Sequence, residues 1–186
     1  MATLSTTAWV LHDLGLAAGF GGNLFGQLAL NPAVRAVESK RERGRVAHEA
    51  WARYKNVNAL SLLSFASTWA IGRSILSGRE VGRTSRGLTL LKDVLIGGAF
   101  LTGVGSMIVG TMLDRARIRA GEAPIETGSE PAEGTPPRVA RLIRATSALG
   151  ISNVIFDAAA LATTTVLAMK AGKSSKWTMV AKKLLP

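Results

Sequence analysis

The chain contains no cysteine and only two histidines, and these absences exclude several kinds of site. Without cysteine there is no disulfide, no thiolate metal site and no catalytic thiol. Two histidines are too few for a zinc site or a bis-histidine haem site within one chain. The Gly-Lys-Ser at 172–174 does not complete a phosphate-binding loop, because position 167 is Leu where that loop needs glycine. We therefore expect no metal and no cofactor.

Acidic residues are scarce as well. The 12 Asp and Glu face 23 Lys and Arg, which gives a formal net charge of +11. In a soluble protein such a balance would indicate nucleic-acid binding. Here the basic residues lie in loops beside apolar stretches, where the expected partners are anionic lipid headgroups rather than nucleic acid.

Charge is nearly missing from four apolar stretches, at 8–30, 57–76, 88–113 and 145–169. Crossing the hydrocarbon core of a bilayer takes about 20 helical residues, and each stretch is that long. The sequence therefore predicts an all-α fold, an integral membrane four-helix bundle that forms a single domain over 1–186. The alternative is a soluble all-α protein with buried helices, which seldom needs apolar runs of this length.

The segments between the stretches differ in character. Segment 121–137 is rich in Pro, Gly and Glu and is predicted to be a flexible loop, while Thr135-Pro136 predicts that the fourth helix begins well before its apolar part. The tail after Gly172 is predicted to form a short amphipathic helix on the membrane surface. Seven Lys and Arg follow the first stretch and none precedes it, which places the N-terminus outside. Aromatic residues near the span ends are expected to be interfacial anchors: Trp9, Trp51, Tyr54, Trp69 and Trp177.

Small residues recur at helical spacing and form a seam along each stretch. In the first and third stretches these are Gly15, Gly19, Gly22, Gly26, Gly98, Gly103, Gly105 and Gly110. Glycine lowers helix propensity, so its repetition on one face indicates close helix packing, either inside the bundle or against a partner. The second and fourth stretches carry similar seams, which include Asn58 and Ser61 in one and Asn153 and Asp157 in the other.

Asp157 is the strongest candidate for chemistry, since it lies at the middle of the fourth stretch with Asn153 one turn earlier on the same face. A carboxylate at this depth is costly and is usually paired or functional. It is either a proton- or cation-handling group or a structural one that bonds Asn153, His12 or a hydroxyl on a facing helix. His12 and Asp13 form the second candidate pair. Lys92, Asp93 and Asp114 are interpreted as ordinary boundary charges.

One resemblance covers about the first third of the chain. The sequences Gly-Gly-Asn-Leu-Phe at 21–25, Ala-Leu-Asn-Pro-Ala-Val at 29–34 and Trp-Ala-Arg-Tyr at 51–54 resemble small four-helix bacterial membrane families of unknown function. The nearest in pattern is the anthrone-oxygenase-like group. The resemblance implies the bacterial inner (plasma) membrane and an oxygenase activity. That group's Trp/His/Arg signature is absent from 138–150, so no catalytic residue is carried over.

Three functions remain open at this point. The first is a structural or accessory subunit that packs against other membrane proteins, or against a second copy, through the glycine seams. The second is a small transporter or proton-coupled protein that uses Asp157. The third is a membrane enzyme acting on a lipophilic substrate, which is less favoured because the sequence contains no recognisable catalytic set.

Overall fold

A computed structural model describes residues 2–76, 83–121 and 123–173. Four long helices dominate it: α1 Ala2–Phe25, α2 Lys40–Leu76, α3 Arg83–Ala120 and α4 Pro137–Lys173. A π-helical turn, Gly26–Leu30, extends α1, and two short helical turns, Asn31–Ala33 and Val34–Ala36, lead toward α2. The described residues form no strand, apart from one isolated bridge between Ile125 and Pro131. The all-α prediction is confirmed, and α4 does begin well before its apolar part.

Each long helix contains one of the four apolar stretches, except that the first stretch runs on from α1 through the π-helical turn. Among the described residues, two helices, not four, are long and apolar enough to cross a membrane. These are Arg86–Ala120 in α3 and Pro137–Lys170 in α4, within the described residues. The stretches in α1 and α2 carry many of the seam's polar and small residues, which lower their hydropathy. The predicted tail helix and Trp177 lie outside the described residues.

Close contacts between helices define the topology. Along α1 and α2, Gly15 meets Phe65 and Gly26 meets Trp51, so the two helices are antiparallel. The same logic makes α3 and α4 antiparallel, because Gly98 meets Phe156 while Gly105 meets Leu149. Two further antiparallel pairs, α1 with α4 and α2 with α3, close an up-down-up-down bundle in which each helix packs mainly on two neighbours.

Two apolar clusters stabilise this bundle. The central cluster takes fully or nearly fully buried residues from all four helices, among them Leu16, Phe65, Ile96 and Ala160. A second cluster lies at one end of the bundle, where Val34 and Ala47 meet residues of α3, α4 and the segment between them. We call this end the cap, defined by residues 31–56, 114–121 and 123–144.

The segment between α3 and α4 differs from the flexible loop that its composition predicts. Residues 123–136 fold onto the rest of the cap. Ile125 is fully buried there, and its backbone N–H donates to the Lys40 carbonyl at 3.0 Å. Glu126 accepts hydrogen bonds from Lys40 and Arg43, and these cations lower the pKa of its carboxyl. The physical reason is that one apolar side chain and a few ion pairs offset the disorder that Pro, Gly and Glu favour.

Candidate functional site

Side chains and backbone of α2 fill the space beside the glycines of α1 and of the π-helical turn. A Cβ added at Gly22 would lie 2.2 Å from the Tyr54 ring, and one at Gly26 would lie 2.2 Å from the Trp51 ring. Gly15 approaches the α2 backbone so closely that an added Cβ would be 3.0 Å from the Ser61 carbonyl oxygen. These glycines are therefore points of close approach between α1, its π-helical extension and α2 within one chain.

The glycines of α3 divide into two groups. A Cβ at Gly98 would meet the Phe156 ring at 2.5 Å, and one at Gly103 would meet Leu62 at 2.6 Å. At Gly105 the nearest atoms are those of Leu149 at an ordinary 3.6 Å. Gly110 has open space where its Cβ would be and lines a cavity described below.

Asn153 joins three helices in the bundle interior. Its amide nitrogen donates to the Ala99 carbonyl at 2.8 Å, and its amide oxygen accepts from Asn23 at 2.7 Å. Only 2% of Asn153 is exposed, so solvent does not hydrate its amide, and these hydrogen bonds satisfy it instead. This side chain is sufficiently explained by its structural role.

Asp157, one turn further along α4, is not satisfied in this way. It is 1% exposed, and among the described residues its Oδ1 has no hydrogen-bond partner. Its Oδ2 lies 3.4 Å from the place a Cβ of Gly19 would take. The nearby Ser61 hydroxyl donates instead to the Gly15 carbonyl at 2.6 Å. Neither His12 nor Asn153 bonds Asp157, so the structural partners expected from sequence are not the ones in place.

His12 and Asp13 do not act as a pair. His12 points into the bundle, where its Nδ1 lies 3.1 Å from the Phe65 carbonyl oxygen, whereas Asp13 is exposed. Lys92, interpreted from sequence as a boundary charge, is instead buried, with its ammonium 4.8 Å from the centre of the Trp9 ring. Asp93 accepts a hydrogen bond from the Trp69 indole at 3.0 Å.

The aromatic residues of α2 pack against neighbouring helices. The Trp51 indole donates to Asn31 Oδ1 at 3.0 Å, and the Tyr54 hydroxyl donates to the Ala18 and Gly19 carbonyls. These contacts explain the positions of both side chains without any contact with lipid. An additional role as headgroup anchors stays a prediction for them, as it does for Trp9 and Trp69.

A cavity of about 120 Å³ lies between the four helices, at the boundary between the apolar stretches and the cap. Most of its wall comes from α2 and α3, with contributions from α4 and the π-helical turn. Its polar and aromatic lining comprises Asn23, Gln27, Asn31, His48, Trp51, Tyr54, Lys55, Asn58, Ser106, Asp114, Arg117, Thr146 and Ser147. The π-helical turn ends at Leu30, two residues before Pro32, which lacks a backbone N–H, and π-helical turns are frequent at functional sites.

The charges in this cavity are unbalanced. Among the residues that the structure describes, Asp114 is the one carboxylate of the lining, and it lies 2.9 Å from His48 Nδ1. The Lys55 ammonium donates to the Thr111 hydroxyl at 3.0 Å and has no carboxylate within ion-pair distance among the described residues. The Arg117 guanidinium has no hydrogen bond or ion pair in that same part of the chain.

Sequence reasoning missed this cavity, although a signal was present. The α3 seam of Ala99, Gly103, Ser106 and Gly110 continues at the same spacing past the apolar stretch to Arg117. Likewise, the α2 seam that starts at Asn58 extends back by one turn to Tyr54 and Lys55. Extending each seam beyond the ends of the apolar stretches identifies several of the polar residues that line the cavity.

Comparison of the chain with protein-family models, with curated proteins and with solved structures finds no match in any of the three. The anthrone-oxygenase-like resemblance therefore stays a prediction.

Proposed function

We propose that the chain is an integral membrane protein in which all four helices cross the bilayer. The support is a belt of exposed apolar side chains on every helix, including Leu14 at 61%, Leu60 at 68%, Leu101 at 71% and Ile155 at 62% exposed. Soluble monomers rarely expose contiguous apolar patches of more than a few hundred Å². Lipid would cover this belt on all four helices, including α1 and α2.

The accessory-subunit hypothesis has less support than its seams suggested. This hypothesis rests on the glycine seams, which would pack against other membrane proteins or against a second copy. Most of those glycines face side chains of the same chain, so no partner is required to fill them. Association with other membrane proteins or with a second copy stays a prediction, without a surface assigned to it.

We propose instead that the protein is a small proton-coupled membrane protein and that Asp157 is the group that takes up and releases the proton. One observation carries this: a carboxylate that is 1% exposed keeps one oxygen without a partner among the described residues, in the middle of a bundle that satisfies its neighbour Asn153 fully. Buried carboxylates in membranes are expensive and mark ion pathways or proton relays.

The surroundings of Asp157 supply a route toward one side. Gly19 lies between Asp157 and Tyr54, whose hydroxyl is 3.2 Å from the Gly19 carbonyl oxygen. Tyr54 and Asn58 both line the cavity, so polar groups continue from Asp157 toward the cap. Asp157 itself does not line the cavity, so a proton taken up from the cap side would pass from the cavity by way of Tyr54 to Asp157.

The test uses proton flux in proteoliposomes containing the full chain, with Asp157→Asn, Asp157→Leu and the control Asp13→Asn. Asp157→Asn keeps the shape but cannot exchange a proton, so we expect flux to fall to the background of empty vesicles while the protein stays folded. Asp13 is exposed, and Asp13→Asn should retain wild-type flux. A folded Asp157→Asn variant with full flux would exclude the proposal and leave Asp157 a structural group.

A further inference from the structure

We propose that the cavity beneath the cap is a binding site for a compact oxyanion, a phosphate group held by Lys55 and Arg117. Three observations carry this inference: an excess of cationic groups over carboxylates, unused hydrogen-bond donors, and a volume that fits.

The first observation is the charge of the lining. Lys55 and Arg117 are basic side chains, while the one carboxylate that the described residues contribute to the lining, Asp114, lies against His48. Asp114, one turn earlier on α3, forms no ion pair with the partly buried Arg117 guanidinium, and an oxyanion bound directly to it would offset the cost of removing it from water. Arginine also presents a planar fork of donors that suits phosphate oxygens.

The second observation is the set of donors left over. The Lys55 ammonium has three N–H donors, and Thr111 takes one of them. Within the described part of the chain, the side chains of Asn58, Ser106 and Ser147 line the cavity without making a hydrogen bond. Phosphate oxygens could accept from all of these groups in a site that the bundle has already formed.

The third observation is size and position. A cavity volume of about 120 Å³ leaves room for a phosphate group between the four helices. Because Lys55 precedes the second apolar stretch and Arg117 follows the third, the cavity lies at headgroup depth in the proposed bilayer. The phosphate could therefore belong to a lipid or to a soluble compound, and the two sources share this recognition chemistry.

The experiment titrates the full chain, purified in a neutral detergent without phosphate, with inorganic phosphate and with dihexanoyl phosphatidic acid. Sodium chloride at matched ionic strength corrects for screening. Binding is followed calorimetrically and by the rise in melting temperature. Saturable binding of inorganic phosphate supports a soluble source. Saturation by the short-chain lipid at much lower concentration supports a lipid headgroup. If neither probe binds beyond the chloride control, the proposal fails.

Variants separate a binding role from a structural one. Arg117→Gln and Lys55→Gln should each weaken binding about tenfold or more, the loss expected for a charged hydrogen bond. The matched control Arg115→Gln, an exposed arginine on the same helix, should leave affinity unchanged. Asp114→Asn removes a negative charge from the lining and should tighten binding. Equal affinities in Arg117→Gln and Arg115→Gln would overturn the assignment.

Folding gives an independent readout. Since Arg117 has no partner among the described residues, Arg117→Gln without phosphate should melt no lower than the wild type. A marked fall in that melting temperature would mean that Arg117 stabilises the fold instead of binding an anion. Asp157→Asn should bind phosphate normally, so failure of this site and failure of the proton role are separate results.

Discussion

At the scale of the residue, adjacent glycines in α1 have opposite surroundings. Gly22 faces the Tyr54 ring, whereas a Cβ added at Gly21 would have no atom within 4 Å. Both residues lie inside the same helix, so they share backbone geometry and helix propensity. The pair therefore isolates the contribution of close packing from that of the helix itself.

We predict that Gly22→Ala destabilises the protein by about 1–3 kcal/mol, because the added methyl group must displace the Tyr54 ring. Gly21→Ala should stabilise α1 by up to about 1 kcal/mol, the difference in helix propensity. Thermal unfolding in detergent measures both changes. Size-exclusion chromatography should show both variants in the same oligomeric state as the wild type. A change of oligomeric state in Gly22→Ala alone would instead favour a seam between chains.

Periodicity made the glycine contacts predictable, because glycine at every third or fourth position has few explanations other than close approach. The interior position of Asp157 and Asn153 followed from the same spacing. The partners of these two residues did not, since they depend on how far each helix is shifted along its neighbour. The sequence does not single out Lys55 and Arg117, because charged residues just beyond an apolar stretch are usually solvated, and it is the packing of the cap that leaves these two partly buried.

At the scale of the element, segment 123–136 is the clearest departure from what composition indicates. Its Pro, Gly and Glu content is typical of disorder. A single isoleucine, Ile125, fills the apolar cluster of the cap, and Arg35 and Lys40 pair with glutamates of the segment. Composition averages over the segment and therefore cannot reveal one well-placed anchor. Helix existence was easier to predict, because it repeats over tens of residues.

We predict that Ile125→Ala lowers the free energy of unfolding by about 2–5 kcal/mol, the usual effect of removing a fully buried isoleucine. Ile118→Ala is the matched control, since Ile118 is 79% exposed at the end of α3, and its effect should stay within about 0.5 kcal/mol. Limited proteolysis should cut Ile125→Ala within 123–136 well before the wild type is cut there. Equal cleavage of the two would mean that Ile125 does not hold this segment on the cap.

At the scale of the whole molecule, the two ends of the bundle are unlike. The cap collects most of the ion pairs of the described residues, and it holds the segments expected to lie on the inner side of the membrane. Between the ends, the exposed surface is mostly apolar on all four helices. A soluble bundle would need another protein to cover this belt, whereas a bilayer would cover it on every side.

The absence of cysteine makes this arrangement directly testable, because single cysteines can be introduced without a background. We select Glu133→Cys on the cap, Lys170→Cys near the opposite end and Leu101→Cys in the belt, all at exposed positions. With the N-terminus outside, a membrane-impermeant maleimide should label only Lys170→Cys in intact bacterial spheroplasts. Glu133→Cys should react after the membrane is permeabilised, and Leu101→Cys only after the bilayer is dissolved and the protein denatured, since lipid or detergent shields it. Labelling of Glu133→Cys but not Lys170→Cys in intact spheroplasts would reverse the orientation, and labelling of Leu101→Cys in the native protein without detergent would remove the membrane assignment.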